Sequence, residues 1–332
     1  MPDVLWNIGT SGDISINNIQ TFSLMFKKEG SMKLKLSIKG RQAMWAYIFI
    51  SVPILFFICI RIVPTLYAFN VSLHEWDLLS KEKPFVFLDN FKELFHDEVF
   101  LASLINTGKY ILFAVPIGLV LSLCIALLLN TITKGASIYR MVVFIPYVTS
   151  VVAVSWVWRW MFMKQGGVVN NIISLFGIAK QPFLDSTSQA IFVVISNVIW
   201  QALGFYTIIF LAGVKQIPQT YYEAAKIDGA SPWQRFKNIT IPMLNPTIVY
   251  LTVMASIQTL QVFTQVYNIT SGGQGVAGGP LNSTVSVVLY IYQLAFVNYK
   301  MGYASAATVV LFLIILSVSL FQMKVLDKKY DY

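Results

Sequence analysis

None of the fifteen acidic residues in this 332-residue chain falls inside a long apolar run. With no carboxylate at membrane depth there is nothing to relay a proton or hold a sodium ion, which argues against ion-coupled secondary transport. Histidine and cysteine are scarce as well, at two residues each. Cys59 and Cys124 both sit within apolar runs, where a thiol packs as a small apolar group sooner than it forms a disulfide or ligates a metal. His74 and His96 stand among scattered carboxylates on one polar stretch, the pattern of solvated surface residues, so no metal site is expected. A Walker loop is missing, and so are HExxH, a Ser-His pair and paired carboxylates within any apolar run. The chain is therefore expected to be non-catalytic, with its energy supplied by another subunit.

Apolar residues are what it has in quantity. They make up 56% of the chain against 12% charged, with a positive mean hydropathy, the composition of an integral membrane protein. The net charge of +9 does not form an aromatic-interleaved basic patch; the basic residues sit in short loops beside apolar runs, so no nucleic-acid partner is expected. Runs of about 20 apolar residues, the length that crosses a bilayer, fall at Trp45 to Phe69, Leu104 to Leu129, Ile138 to Met161, Ala190 to Gly213, Ile241 to Ile269 and Tyr303 to Gln322. These predict an all-α protein of six membrane spans. Fifteen of the 24 Lys and Arg residues lie at the amino end, at 134–140, at 215–237 and after 323, which are alternate sides of such a layout and place both termini in the cytosol. The organisation read from this is a cytosolic amino-terminal segment at 1–42, a transmembrane domain at 43–323 with a cytosolic loop at 215–240, and a cytosolic tail at 324–332. Residues 1–42 lack the apolar core and small residues of a cleavable signal peptide, and Met32, ahead of Lys33, Lys35, Lys39 and Arg41, is a candidate second start.

The outer segments differ in kind. Residues 74–100 carry seven acidic residues and three lysines. Residues 164–189 hold a short apolar piece from Val168 to Phe176 that reads as a re-entrant or surface helix. Residues 270–302 combine GGQGVAGGP at 272–280, read as a flexible turn because no Lys-Ser/Thr follows it, with an aromatic patch of Tyr290, Tyr292, Phe296 and Tyr299.

One charged module, EAAKIDGASPWQRFKNITIPMLNP from Glu223 to Pro246, interrupts the apolar chain. Tyr221 to Ile227 favours helix, and Asp228-Gly229 breaks it where a left-handed residue suits glycine. Ser231 can cap a second short helix, Pro232 suits its first turn, and Trp233, Phe236 and Ile239 form an apolar stripe beside Arg235 and Lys237. The pattern by itself equally fits an amphipathic connector lying on a bilayer surface.

The spacing within that module resembles EAAxxDGAxxxxxFxxIxxPxxxP, the cytoplasmic loop of permease subunits in binding-protein-dependent ABC importers, in its sugar-importer form. Glu223, Ala224, Ala225, Asp228, Gly229, Ala230, Phe236, Ile239, Pro242 and Pro246 stand where that pattern puts them. Segments at 144–162, 166–178, 211–225 and 278–284 are also similar to maltose-type sugar permeases, and the resemblance spans about 38–329. It implies the type I ABC importer permease fold, in a bacterial or archaeal cytoplasmic membrane. The module would be the coupling helix between spans four and five that enters a groove of an ATPase subunit, with Glu223 meeting ATPase groups and Gly229 permitting the turn. Trp233 and Phe236 would either fill the groove or pack on the permease itself. Further implied are a second homologous permease, two ABC ATPase subunits carrying ATP and Mg2+, and an external sugar-binding protein, with no cofactor on this chain.

Within the spans the remaining polarity is neutral. Gln258, Gln261 and Gln265 recur at i, i+3 and i+7 and predict one amide-bearing face on the fifth span; Asn197 and Gln201 stand at i and i+4 on the fourth, near Trp200 and Tyr206. Amides also serve as interhelical hydrogen-bond partners in membranes. As a cluster with aromatic faces they suit a sugar, which needs neutral donors and acceptors and a ring to stack on. Tyr147, Ser150 and Trp156 are weaker candidates. Glycerol phosphate or another polar solute is the rival cargo, disfavoured because no basic residue lies deep in the spans to meet a phosphate. A membrane enzyme or scaffold whose loop merely resembles the motif is the rival of another class.

Overall fold

The computed structural model describes residues 38–271 and 277–326. The expectations for the amino-terminal segment before residue 38, for residues 272–276 of the glycine-rich turn and for the tail after residue 326 lie outside the described residues. Contacts divide the chain into a unit ending at Val63 and a second unit beginning at Pro64. The described part of the first is the helix α1 (Ile38–Phe57) and a π-turn over Ile58–Ile62. Val63 N–H reaches the Ile58 carbonyl, five residues back, just ahead of Pro64, which has no N–H to offer. α1 and the π-turn carry large apolar side chains all round, from Trp45 and Tyr47 to Phe57 and Ile60, the composition of a membrane-crossing helix.

The second unit continues with α2 (Val63–Ser72), α3 (Asp89–Leu94) and α4 (Glu98–Thr131). A bent pair follows, α5 (Ala136–Val148) and α6 (Val151–Met161), then α7 (Val168–Leu175) and α8 (Ala190–Gln216). After these come α9 (Gln219–Ile227), α10 (Pro232–Arg235), a π-turn at Phe236–Thr240, α11 (Ile241–Met243), α12 (Asn245–Leu260) and α13 (Thr264–Thr270). The described chain closes with α14 (Val287–Tyr292), a π-turn at Gln293–Val297 and α15 (Met301–Leu326).

Four helical stretches are long and apolar enough to cross a membrane, Gln42–Ser72, Glu98–Thr131, Ala190–Gln216 and Met301–Leu326; counting each of two bent pairs as one crossing gives six. The third and fifth spans are thus not the straight runs the sequence predicts. Between α5 and α6 the axis turns by 90°. Thr149 and Ser150 are extended there, with ψ of 148° and 121°, and the Thr149 hydroxyl donates to the Pro146 carbonyl at 2.7 Å. Pro146 itself has no N–H to continue the ladder. The second bend, 66°, falls at Leu244 between α11 and α12, where Pro246 cannot donate back to Pro242. A further break at Gln261–Phe263 separates α12 from α13.

α4 and α8 share the most extensive interface, α5 packs on α8, and α12 packs on both α4 and α15. Small residues let these backbones approach. At Gly204 of α8, an added Cβ would stand 2.5 Å from the Val143 carbonyl oxygen and 2.9 Å from Phe144 Cα. Polar clasps add to the packing, as where Gln322 Nε2 of α15 donates to Ser256 Oγ of α12 at 2.8 Å.

The segment read as the third outer loop is largely packed inside. Val285, Val287 and Leu289 are fully buried. Its backbone polar groups are met by α4: Asn106 Nδ2 donates to the Asn282 and Val285 carbonyls at 2.9 and 3.2 Å, Tyr110 OH donates to the Thr284 carbonyl at 2.8 Å, and Thr107 Oγ1 accepts from Val287 N at 3.1 Å. Irregular backbone can be buried there because protein side chains satisfy it.

Candidate functional site

Two places bring the sequence-predicted residues together, one within the helices and one at the end of α8. The first is a cavity of about 450 Å³ between α5, α6, α8 and the break after α12. Its wall includes Gln201 and Tyr206 of α8, Gln258 near the end of α12, Gln261 in the break and Gln265 at the start of α13. The three glutamines do not share one helical face: α12 ends at Leu260, and Phe263, with φ −135° and ψ −61°, turns the chain before α13 begins. That break re-aims Gln261 and Gln265 into the same space as Gln258. Tyr147 of α5 lines the wall too, and its ring stacks on Phe205 with centroids 4.9 Å apart. Among the described residues no charged side chain contributes to this wall.

The amides already make some bonds to one another. Tyr206 OH donates to Gln258 Oε1 at 3.3 Å, and Gln265 Nε2 donates to Gln201 Oε1 at 3.2 Å. Gln201 Nε2 is buried without a partner. Asn197, fully buried one turn earlier on α8, has neither amide atom partnered. Each such orphan costs about 1–3 kcal/mol, and of these only the Gln201 side chain is on the wall, where a bound polar molecule would meet it. Asn197 and Trp200 are not part of the wall, and neither are Ser150 and Trp156. Trp200 packs against Trp158, centroids 5.0 Å apart, and Trp158 Nε1 donates to Ser196 Oγ at 3.1 Å. Sequence reasoning missed Phe263, which lines the wall only because the helix breaks there.

The second place is the charged module. α9 ends at Ile227, Gly229 takes φ +74°, and Ser231 caps α10. The Ser231 hydroxyl accepts from Gln234 N at 3.3 Å while Gln234 Oε1 accepts from Ser231 N at 2.7 Å, a reciprocal capping box with Pro232 in the first turn. Glu223, Ala224, Asp228 and Gly229 are exposed, and Ala225 is half-buried. Trp233 is 68% exposed and leans on Phe236, centroids 5.4 Å apart. Phe236, Ile239 and Pro242 are half-buried, and Ile239 packs toward a small core of Val214, Ile217 and Leu244. The apolar stripe therefore divides, with Trp233 outward and Ile239 inward. One contact was not legible in the pattern: Tyr222 OH lies 2.9 Å from Thr240 Oγ1 and ties α9 to the π-turn after α10.

Among the described residues no group of three His, Cys, Asp or Glu side chains is placed to hold a metal ion.

Residues 100–332 match the model of the family described as binding-protein-dependent transport system inner membrane component. The chain is 38% identical over 297 residues to the probable ABC transporter permease protein YesP of Bacillus subtilis, a match spanning 89% of this chain and 94% of that one. It is 33% identical over 296 residues to the trehalose/maltose transport system permease protein MalF of Thermococcus litoralis, spanning 88% and 97%. A chain in the crystal structure of a bacterial ABC transporter involved in the import of the acidic polysaccharide alginate superposes with a TM-score of 0.74 at 24% identity, over 86% of this chain and 96% of that chain, a likeness of fold. By sequence, by the bent six-span helical architecture and by the exposed capped module, this chain belongs to the inner-membrane permease components of binding-protein-dependent ABC transport systems, a transport subunit and not an enzyme.

Proposed function

We propose that this chain, paired with a second homologous permease, forms the membrane path for a sugar or oligosaccharide delivered by an external binding protein. The observation that carries the reading is the uncharged cavity walled by Gln201, Gln258, Gln261 and Gln265 with the Tyr147 and Tyr206 rings. Amide groups offer paired donors and acceptors and the rings offer flat apolar faces, a chemistry that fits hydroxyl-rich pyranoses. A phosphate-bearing cargo is less well served, because no cation lines that wall to meet it. Asn197 and Trp200 would act behind the wall, as an unpaired amide and as packing support for α8.

The module from Glu223 to Pro242 is assigned as the coupling helix that docks on one of two ATPase subunits, where ATP and Mg2+ are bound. Glu223, Asp228 and Trp233 are exposed for that contact, while Ala224 and Ala225 let α9 lie close to a partner. Phe236, Ile239 and Pro242 would pass its movement to α11 and through the bend at Leu244 to α12, a rigid-body transmission. The membrane is assigned as a bacterial or archaeal cytoplasmic membrane, with both termini in the cytosol.

ATP hydrolysis and sugar uptake by the reconstituted complex test both assignments. Gly229→Pro removes an N–H that bonds the Lys226 carbonyl and forbids the φ of +74°. It is expected to abolish hydrolysis stimulated by binding protein. The pair Gln258→Ala, Gln261→Ala is expected to keep stimulated hydrolysis and lose uptake. Intact stimulation in a folded Gly229→Pro complex would refute the coupling assignment, and intact uptake in the glutamine pair would refute the cavity.

A further inference from the structure

The aromatic patch in the last outer segment does not stand apart from the cavity. Phe263, on the cavity wall, is the first of four rings linked by successive contacts. Its centroid lies 5.5 Å from Tyr267 on α13 and 5.2 Å from Tyr292 at the end of α14; Tyr267 and Tyr292 are 5.9 Å apart, and Tyr292 is 5.3 Å from Phe296. Exposure grades along the run, from the half-buried Phe263 and Tyr292 to Tyr267 at 37% and Phe296 at 59%. The ladder therefore leads from the cavity to the surface.

Its backbone is specialised. Tyr292 and Phe296 share one face through the π-turn at Gln293–Val297, and Phe263 sits in the break between α12 and α13. π-Turns and helix breaks of this kind concentrate at functional sites. In chain order α12 separates the ladder from the charged module, and the topology expected from the Lys and Arg distribution puts the two on opposite sides of the membrane.

We propose that Phe263, Tyr267, Tyr292 and Phe296 form a stacking track along which successive pyranose rings of an oligosaccharide pass between the outer surface and the cavity. Flat rings in series hold a sugar by its apolar faces without fixing its register, as a path requires. The inference rests on the sugar-path reading of the cavity and adds a dependence on chain length: a disaccharide fits the cavity alone, while a longer chain reaches the ladder.

The test is uptake into proteoliposomes holding the assembled complex and its binding protein. The probes are linear α-glucosides, β-galactosides and β-N-acetylglucosaminides of two to five units. Tyr292→Ala and Phe296→Ala are expected to slow uptake of four- and five-unit sugars about tenfold relative to disaccharides, with stimulated ATP hydrolysis unchanged. Phe296→Tyr is expected to restore long-chain uptake, and Phe296→Leu, which keeps apolar bulk without a ring, is not. Equal slowing at every length, no slowing, or rescue by leucine overturns the track. Loss of stimulation by binding protein in Phe296→Ala overturns it in favour of a protein-docking surface. Gln258→Ala separates the two readings. If it slows every length while the ring variants change nothing, the ladder falls and the cavity stands. If it and the Gln258→Ala, Gln261→Ala pair leave uptake intact, or the unmodified complex takes up no probe, both fall.

Discussion

Asp97 holds the start of α4 to two other helices. Its carboxylate accepts from Val99 N and Phe100 N at 2.8 and 3.1 Å as the cap of α4, and also from the hydroxyls of Tyr290 on α14 and Tyr303 on α15. Burial pushes the carboxyl up, but the Tyr290 hydroxyl, the Phe100 N–H, the Tyr303 hydroxyl and the Val99 N–H together outweigh it and hold the pKa below the ordinary 3.8. A depressed pKa contributes stability that is present above the ordinary value and lost as pH falls through the folded one. Thermal unfolding of the purified complex is therefore expected to show Asp97→Asn less stable than the unmodified chain at neutral pH, the gap closing as pH drops below 3.8. A gap that stays constant to lower pH would refute the charged clasp. The clasp itself could not be read from the sequence, because Tyr290 and Tyr303 lie 193 and 206 residues away. Asn106, Thr107 and Tyr110 escaped notice for the same reason. Each is an ordinary polar residue of an apolar run until the segment at 282–287 packs on it.

At the scale of elements, the module after α8 was the most legible part of the chain. Its signals are local: a left-handed glycine at 229, a serine cap at 231 and a proline in the first turn. Ser231→Ala removes one half of the capping box and is expected to destabilise α10 by about 1 kcal/mol. Hydrogen exchange of the complex should then quicken at residues 233–236 with little change in α8, and unchanged exchange there would mean that tertiary contacts alone hold α10. The spans were legible as apolar runs but not as shapes. Pro146, Pro242 and Pro246 announce missing backbone donors, yet whether proline kinks a helix or turns it by 90° depends on what satisfies the freed carbonyls. The break at Gln261–Phe263 carries no proline or glycine at all, so the regular spacing of the three glutamines pointed to a single face.

For the whole molecule, the orientation proposed above, with both termini in the cytosol, rests on the distribution of Lys and Arg on alternate sides of the spans. In a background with Cys59 and Cys124 replaced, single cysteines at Lys134 and Lys226 are expected to resist a membrane-impermeant thiol reagent in intact cells. A cysteine at Lys180 is expected to react. The opposite pattern would invert the topology and with it the placement of the module against cytosolic ATPase chains. Met141, Val142, Ile145 and Val148 leave an exposed apolar surface on α5.

Residue order alone determined that this protein lies in a membrane, that it holds six apolar runs of spanning length and that a capped helical module interrupts them. Each of those rests on composition or on contacts within a few residues, which sequence carries directly. Tertiary structure decided where the polarity goes. Five candidate path residues meet at one cavity and two do not, an aromatic patch becomes a ladder reaching that cavity, and the segment around 284–289 is buried against α4. Those outcomes hang on helix bends and on hydrogen bonds between residues far apart in the chain, whose partners exist only once the helices have packed.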